Sequence, residues 1–260
     1  MCLLTWNWQP GSATPLLLLA NRDEFFDRPT QALHWWPDQP ILAGRDSQGG
    51  GTWLGVDRQG RMAALTNYRL PVVDAPLRPT RGTLVSGFLE QALDAPTYLQ
   101  AVATVADSYN PFNLLVFDGR RLMGLESRTA RVLDCAVGIG AVSNADFDTP
   151  WPKLLRIKQQ LQMHCMAGAG HAYPIHIPWQ FWLRDAELAA DNALPNTGVA
   201  LAWERALSAI FVSPTPDRRY GTRVSSLLRI DHDGVEFREQ SYQLHGIGLQ
   251  RQFHFQRQAL

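Results

Sequence analysis

The sequence predicts an α+β fold, a four-layer αββα sandwich in which two sheets pack face to face and helices cover their outer sides. Three observations lead there. Strand-like segments come in runs and helix-like segments in pairs, so the chain does not alternate strand and helix as a parallel α/β fold does. Residues 15–21 (PLLLLAN) are apolar almost throughout, and such a strand must be covered on both faces. The chain has 260 residues, 45% of them hydrophobic, enough for one large core, and residues 1–260 read as a single domain.

Residues 2–8 (CLLTWNW) and 15–21 flank a Pro-Gly-Ser turn and read as a hairpin. A second hairpin joins 52–56 (TWLGV) to 61–67 (RMAALTN) through the turn DRQG. From Thr83 the apolar period becomes helical: residues 83–94 and 96–107 form a pair, and Pro96 sits where a first-turn proline is tolerated. Residues 112–119, 121–127 and 137–144 return to the strand pattern. Residues 150–164 and 178–193 read as two more helices, each opened by a proline. Strands at 206–213, 221–231 and 234–244 close the chain, the last two joined by DHDG.

Composition narrows the function. Lysine plus arginine balance aspartate plus glutamate at 24 each, which leaves no electrostatic footprint for nucleic acid or an acidic membrane surface. The three cysteines, Cys2, Cys135 and Cys165, are odd in number and unpaired in spacing, which fits a reducing compartment. The N-terminus lacks the pattern of a signal peptide, and the longest apolar run, PLLLLA, is too short to span a bilayer. A cytoplasmic protein acting on a small molecule, without stable membrane insertion, is the expectation; the oligomeric state is left open.

Chemistry concentrates at the start. Removal of Met1 would give Cys2 a thiol and a free α-amine on one residue, and the amine could take the thiol proton without a histidine. With unperturbed values of ~8 for the amine and ~8.5 for the thiol, both titrate close to neutrality. In LANRDEF (19–25), Arg22, Asp23 and Glu24 end the apolar strand, and hairpin pairing brings them beside Cys2. A guanidinium near the thiol favours thiolate, and a carboxylate can hold the α-amine. Strand alternation would put Glu24 on the face of Arg22 and Asp23 on the other, unless the chain turns there, so both are carried.

The segments MCLLTW, LANRDEFFDRPT, GGGTWLGVDRQGRMAALTNYR, YNPFNLLVFDG, VSNADFDTPWPKL and IFVSP with YGTRVSSLL resemble, in order and over nearly the whole chain, the NRDE family, also called the transport and Golgi organisation family. A more distant resemblance is to the cysteine branch of the N-terminal-nucleophile hydrolases, which includes penicillin V acylases and conjugated bile acid hydrolases. The order Cys2, Arg22, Asn67, Asn144, Arg223 carries it. It implies an αββα, N-terminal-nucleophile hydrolase-like fold. It also implies Cys2 as nucleophile, Asn67 as an oxyanion donor, and Asn144 orienting the α-amine or the leaving group. Arg22 and Arg223 would set the charge around the sulfur. In those acylases the acidic residue lies a few positions beyond the arginine, whereas here Asp23 and Glu24 follow it directly.

Other signals are weaker. Gly49–Gly51 precede a strand-like segment where a phosphate cradle would need a helix, so a tightly turning loop is expected. His164, Cys165, His171 and His176 match no standard ligand spacing, and no metal is expected. Trp35 and Trp36 could wall an apolar pocket, or one packs while the other is exposed. The leading expectation is an N-terminal cysteine hydrolase of a non-peptide amide, with no cofactor. The alternatives are a carrier of a hydrophobic small molecule such as haem or a lipid, and an interaction protein with no small-molecule site.

Overall fold

A computed structural model describes residues 2–71, 78–167, 179–215 and 219–258. Two hydrogen-bonded sheets are present. The first orders its strands β10 (Gly138–Val142), β1 (Cys2–Trp8), β2 (Leu16–Phe25), β11 (Tyr220–Ile230), β12 (Gly234–Gln243) and β13 (Gly246–Gln256). The second runs β3 (Thr30–Trp35), β4 (Ile41–Asp46), β5 (Leu54–Asp57), β6 (Met62–Asn67), β7 (Phe112–Phe117), β8 (Leu122–Glu126) and β9 (Arg131–Asp134).

Alternation along the strands sorts side chains into three cores. Leu4, Trp6, Leu16 and Leu18 of the first sheet face Leu54, Val56, Leu115 and Phe117 of the second. Leu3, Leu17 and Leu19 point the other way, onto Leu154, Ile157 and Leu161 of α3 (Pro152–Ala167) and Trp182 of α4 (Trp179–Leu183). Ala63, Leu65, Leu114 and Val116 meet Val85 and Phe88 of α1 (Gly82–Glu90) and Leu99 of α2 (Ala95–Thr104). The layers are therefore helix, sheet, sheet, helix, and β2 is covered on both faces as its composition requires. Asp94 caps α2 by accepting from the Thr97 N–H, with Pro96 in the first turn.

The differences from expectation have physical reasons. The helix expected over 178–193 is only Trp179–Leu183 among the described residues; beyond it Glu187 and Leu188 are exposed and have no face to bury. Residues 206–213 are not a strand: α5 (Leu201–Ala206) precedes them, and Leu207, Ile210 and Val212 are buried without a ladder. Four strands, β3, β4, β9 and β13, go beyond the sequence reading. β9 and β13 are largely exposed edges with little apolar pattern, although Phe253 and Phe255 of β13 pack on the central core.

Gly49–Gly51 form a tight turn with no helix following directly. A Cβ on Gly51 would sit 2.3 Å from the Gly82 backbone, and the Thr52 N–H donates to the Gly82 carbonyl at 3.2 Å. Asp46 accepts from the N–H groups of Gln48 and Gly49, so this turn also fixes a carboxylate. Among the described residues no helix is long and apolar enough to cross a membrane.

Candidate active site

The hairpin register makes Cys2 of β1 and Arg22 of β2 direct cross-strand partners, which places them on one face. That face opens, at the strand ends, into a cleft of about 290 Å³. The first sheet contributes Cys2, Arg22, Asp23 and Glu24 to it; the second contributes Asp46, Leu65 and Asn67, with Thr52 and Trp53 just before β5. Arg28, Arg81 and the segment before α1 complete the rim.

Arg22 is the electrostatic centre. Its side chain is 5% exposed, and its guanidinium lies 4.5 Å from the centre of the Trp53 ring. Nη2 stands 3.9 Å from both Glu24 Oε2 and Asp46 Oδ2. Arg28 donates to the same Asp46 oxygen, Oδ2, at 2.8 and 2.9 Å. Burial alone would raise the Glu24 carboxyl, but Arg22, the Phe25 N–H and Arg28 help to hold it below its ordinary value. Burial raises the Cys2 thiol, with Asp23 and Glu24 adding to the effect and Arg22 opposing it.

Alternation holds through the end of β2. Glu24 shares Arg22's face, while Asp23 accepts from Thr222 Oγ1 at 2.7 Å. Asp23 reaches toward the helix side, where a second polar group is buried. Lys153 opens α3 and is 1% exposed, with Nζ 3.4 Å from Asn144 Oδ1. Arg69 pairs with Glu204 and lies over the Trp151 ring. Burial, then Arg69, pull the Lys153 amine down to about 7, against the pull of Asp23, Cys2 and Glu204. Burial raises the Asp23 carboxyl, and Lys153 is the first charge opposing that.

The two asparagines occupy different positions. Asn67 ends β6 and lines the cleft. Asn144 lies behind it, after β10, and is 2% exposed. Its Nδ2 donates to the Asn67 carbonyl at 2.8 Å and lies 3.5 Å from the Cys2 carbonyl. Ser143 Oγ donates to the Cys2 carbonyl at 3.0 Å and contacts Asn144 Oδ1 at 2.9 Å.

Arg223 is a correction: the expectation that it joins Arg22 in setting the charge around the sulfur does not hold, and the second guanidinium of the cleft acting on Cys2 is that of Arg81. A register shift between Thr222 and Val224 turns Arg223 onto the chain after β2. There Nη1 donates to the carbonyls of Phe25 at 2.7 Å and Arg28 at 3.2 Å, and Arg223 is not among the cleft-lining residues. Of the two readings of the tryptophan pair, packing holds rather than a pocket wall: Trp36 is buried under the helices with its N–H on the Ala43 carbonyl, and Trp35 is half-buried against Phe255 instead of exposed. Neither lines the cleft.

His164 packs against Trp182 and Cys165 lies 3.5 Å from Asn7 Nδ2, whereas His171 and His176 lie outside the described residues. No cluster of metal-binding side chains occurs among the described residues. Sequence reasoning did not single out Asp46, Trp53, Arg81, Lys153, Arg69 or Glu204. For Lys153 a signal existed: a lysine in the first turn of a helix opposes the helix dipole and calls for a special partner.

A family model described as Transport and Golgi organisation 2 matches residues 1–243. The Transport and Golgi organization protein 2 homolog of Bos taurus is 34% identical over 270 residues, covering 93% of each chain. The Homo sapiens homolog is 33% identical over 261 residues with the same coverage. Among solved structures, a conjugated bile acid hydrolase from Clostridium perfringens aligns at 11% identity and a TM-score of 0.44, over 95% of this chain and 91% of that one. An N-acylethanolamine-hydrolyzing acid amidase ortholog from Caenorhabditis elegans aligns at 10% identity and a TM-score of 0.44, over 88% and 92%.

Proposed function

The chain belongs to the Transport and Golgi organisation 2 family, and from that premise and the cleft at its first strand we propose that it is an N-terminal cysteine hydrolase of a small, non-peptide amide. The single observation that carries the reading is the pairing of Cys2 with Arg22 at the floor of a cleft that also holds Asn67. A cysteine serving only as core would not need a buried cation as its cross-strand partner.

In this reading Met1 is removed. The Cys2 α-amine takes the thiol proton, and the sulfur attacks the amide carbon. The C–S bond forms, the carbonyl oxygen becomes an oxyanion, and the Asn67 side chain donates to it. A donor of this kind contributes on the order of 3 kcal/mol to a transition state. The C–N bond then breaks and the α-amine returns the proton to the leaving amine. Water hydrolyses the thioester and restores the thiol. The lining, dominated by Arg22, Arg28, Glu24, Asp46 and Arg81, favours a polar substrate over haem or a lipid tail.

The test uses the protein after its intact mass has shown loss of Met1. An activated ester, p-nitrophenyl acetate, should give a burst of p-nitrophenolate and a mass gain confined to the N-terminal peptide. Cys2→Ala should abolish both; a burst that survives in Cys2→Ala assigns the reactivity to Cys135 or Cys165 and ends this reading.

A further inference from the structure

The Cys2 site spans two sheets, and the Asn144 side chain is among those that join its two halves. Asn144 Nδ2 is directed at the carbonyls of Asn67, from the second sheet, and Cys2, from the first. A carboxamide can present either its NH₂ or its oxygen in that direction, so something must fix which way it points. Its oxygen lies 3.4 Å from Lys153 Nζ. Ser143 Oγ is also 2.9 Å away, but its one proton goes to the Cys2 carbonyl, so Lys153 supplies the donor that orients this oxygen. A lysine ammonium only donates, so in contact with Asn144 it selects the oxygen and turns the NH₂ toward Cys2 and Asn67.

A buried lysine is costly, and this one stands where the helix dipole also opposes it. The groups around it come from several elements: Asp23 from β2, Arg69 after β6, Glu204 from α5, Trp151 before α3 and the Cys2 end of β1. Arg69 and Glu204 already form a pair with each other, which leaves Asp23 as the carboxylate balancing Lys153. Asp23 is the residue following Arg22, so the Lys153 cluster is tied to the cleft through both the backbone of β2 and the side chain of Asn144.

We propose that Lys153 is a positioning residue of the Cys2 site, holding the Asn144 carboxamide so that it clamps the nucleophile strand to the Asn67 strand. The inference rests on the hydrolase reading for its purpose and on the Lys153–Asn144–Cys2/Asn67 contacts for its content. Lys153 itself is sealed from the cleft and touches no substrate.

The experiment is a double-mutant cycle on the p-nitrophenolate burst rate, with the protein lacking Met1 and with Cys2→Ala as blank. Lys153→Met and Asn144→Ala should each slow the burst about tenfold, and the double variant should be no slower than Asn144→Ala alone, because one acts through the other. Lys153→Arg, which keeps a buried cationic donor, should recover to within about threefold of the parent. Lys153→Gln replaces Lys153→Met in the cycle if the latter does not fold. A Lys153→Met burst at the parent rate, multiplicative losses in the double variant, or equal losses in Lys153→Arg and Lys153→Met would each overturn the assignment. A burst that does not depend on Cys2 defeats the hydrolase reading instead; the same cycle is then read on alkylation of Cys2 by iodoacetamide, resolved on the N-terminal peptide, and additive effects there overturn the clamp.

Discussion

Arg22 lies against Trp53, its guanidinium carbon 4.5 Å from the ring centre, while its Nη2 holds Glu24 and Asp46 at 3.9 Å each. One buried cation thus joins β2 to β4 and to the segment entering β5, directly opposite Cys2. Cation–π contacts that are desolvated contribute about 2 kcal/mol, and unpaired buried carboxylates are costly.

Arg22→Met therefore has two effects. It lowers unfolding stability by about 2 kcal/mol, read in urea, because the buried contact with Trp53 is lost while Arg28 still pairs with Asp46 and Glu24. It also raises the Cys2 thiol further and so thins the reactive thiolate. At a fixed pH below the thiol's titration, alkylation of the N-terminal peptide should slow about tenfold, the factor that a loss of about 1.4 kcal/mol in thiolate stabilisation produces. Arg22→Lys keeps the charge but loses the flat contact with Trp53, so it should fall between Arg22→Met and the parent in both assays.

Glu239 makes a pH-dependent tie between the sheets. It is fully buried on β12 and accepts from the Leu33 N–H of β3 at 2.8 Å. Burial lifts its carboxyl from 4.5 to about 7, against the pull of the Leu33 N–H, Arg22 and Arg251. The folded chain then holds a proton that the unfolded chain has lost between those values, so this residue's contribution to stability falls as pH rises through that window and stays low above it. Glu239→Gln should stabilise the protein by ~1–3 kcal/mol at about pH 8 and leave it nearly unchanged at about pH 4, measured as paired urea curves.

The buried Arg69–Glu204 pair gives a sharper mutational contrast. Both side chains are almost inaccessible, and Glu204 also accepts from the Thr197 N–H and hydroxyl. Arg69→Met should cost about 3–5 kcal/mol by stranding the carboxylate. Arg69→Met with Glu204→Gln should cost less than Arg69→Met alone, and calorimetric melting of the parent and the two variants checks the order.

At Gly51 the limit is steric. Gly51→Ala should lower unfolding stability by about 1–3 kcal/mol, because the added carbon meets the Gly82 backbone at 2.3 Å and neither strand end nor helix start can give way. Gly50→Asn, at a left-handed backbone position with open space around it, should cost less than Gly51→Ala in the same urea series.

What the sequence made legible was local geometry. The hairpin of β1 and β2 sets Cys2 opposite Arg22, and period-two alternation separates Glu24 from Asp23 as far as the strand runs straight. The α1–α2 pair, α3 and the doubly covered β2 likewise follow from apolar spacing, whereas the helix read over 178–193 does not. Arg223 escaped the same logic because a bulge shifts the register beside it, and no residue of GTRVSS announces that bulge. Asp46 reaches the cleft through β3 and β4, a hairpin too short and mixed to stand out. Lys153 and Glu204 meet Asp23 and Arg69 only after helices from distant parts of the chain pack on the first sheet, and such encounters leave no spacing to read.

The cleft draws its walls from both sheets, which are pinned to each other at Glu239–Leu33 and at Asn144–Asn67. Neither half can slide past the other without breaking a buried hydrogen bond. Heat should consequently leave the pocket intact until the whole domain melts, so that reactivity of Cys2 toward reagents and the calorimetric transition lapse at one temperature, with no reactive but half-melted species between them.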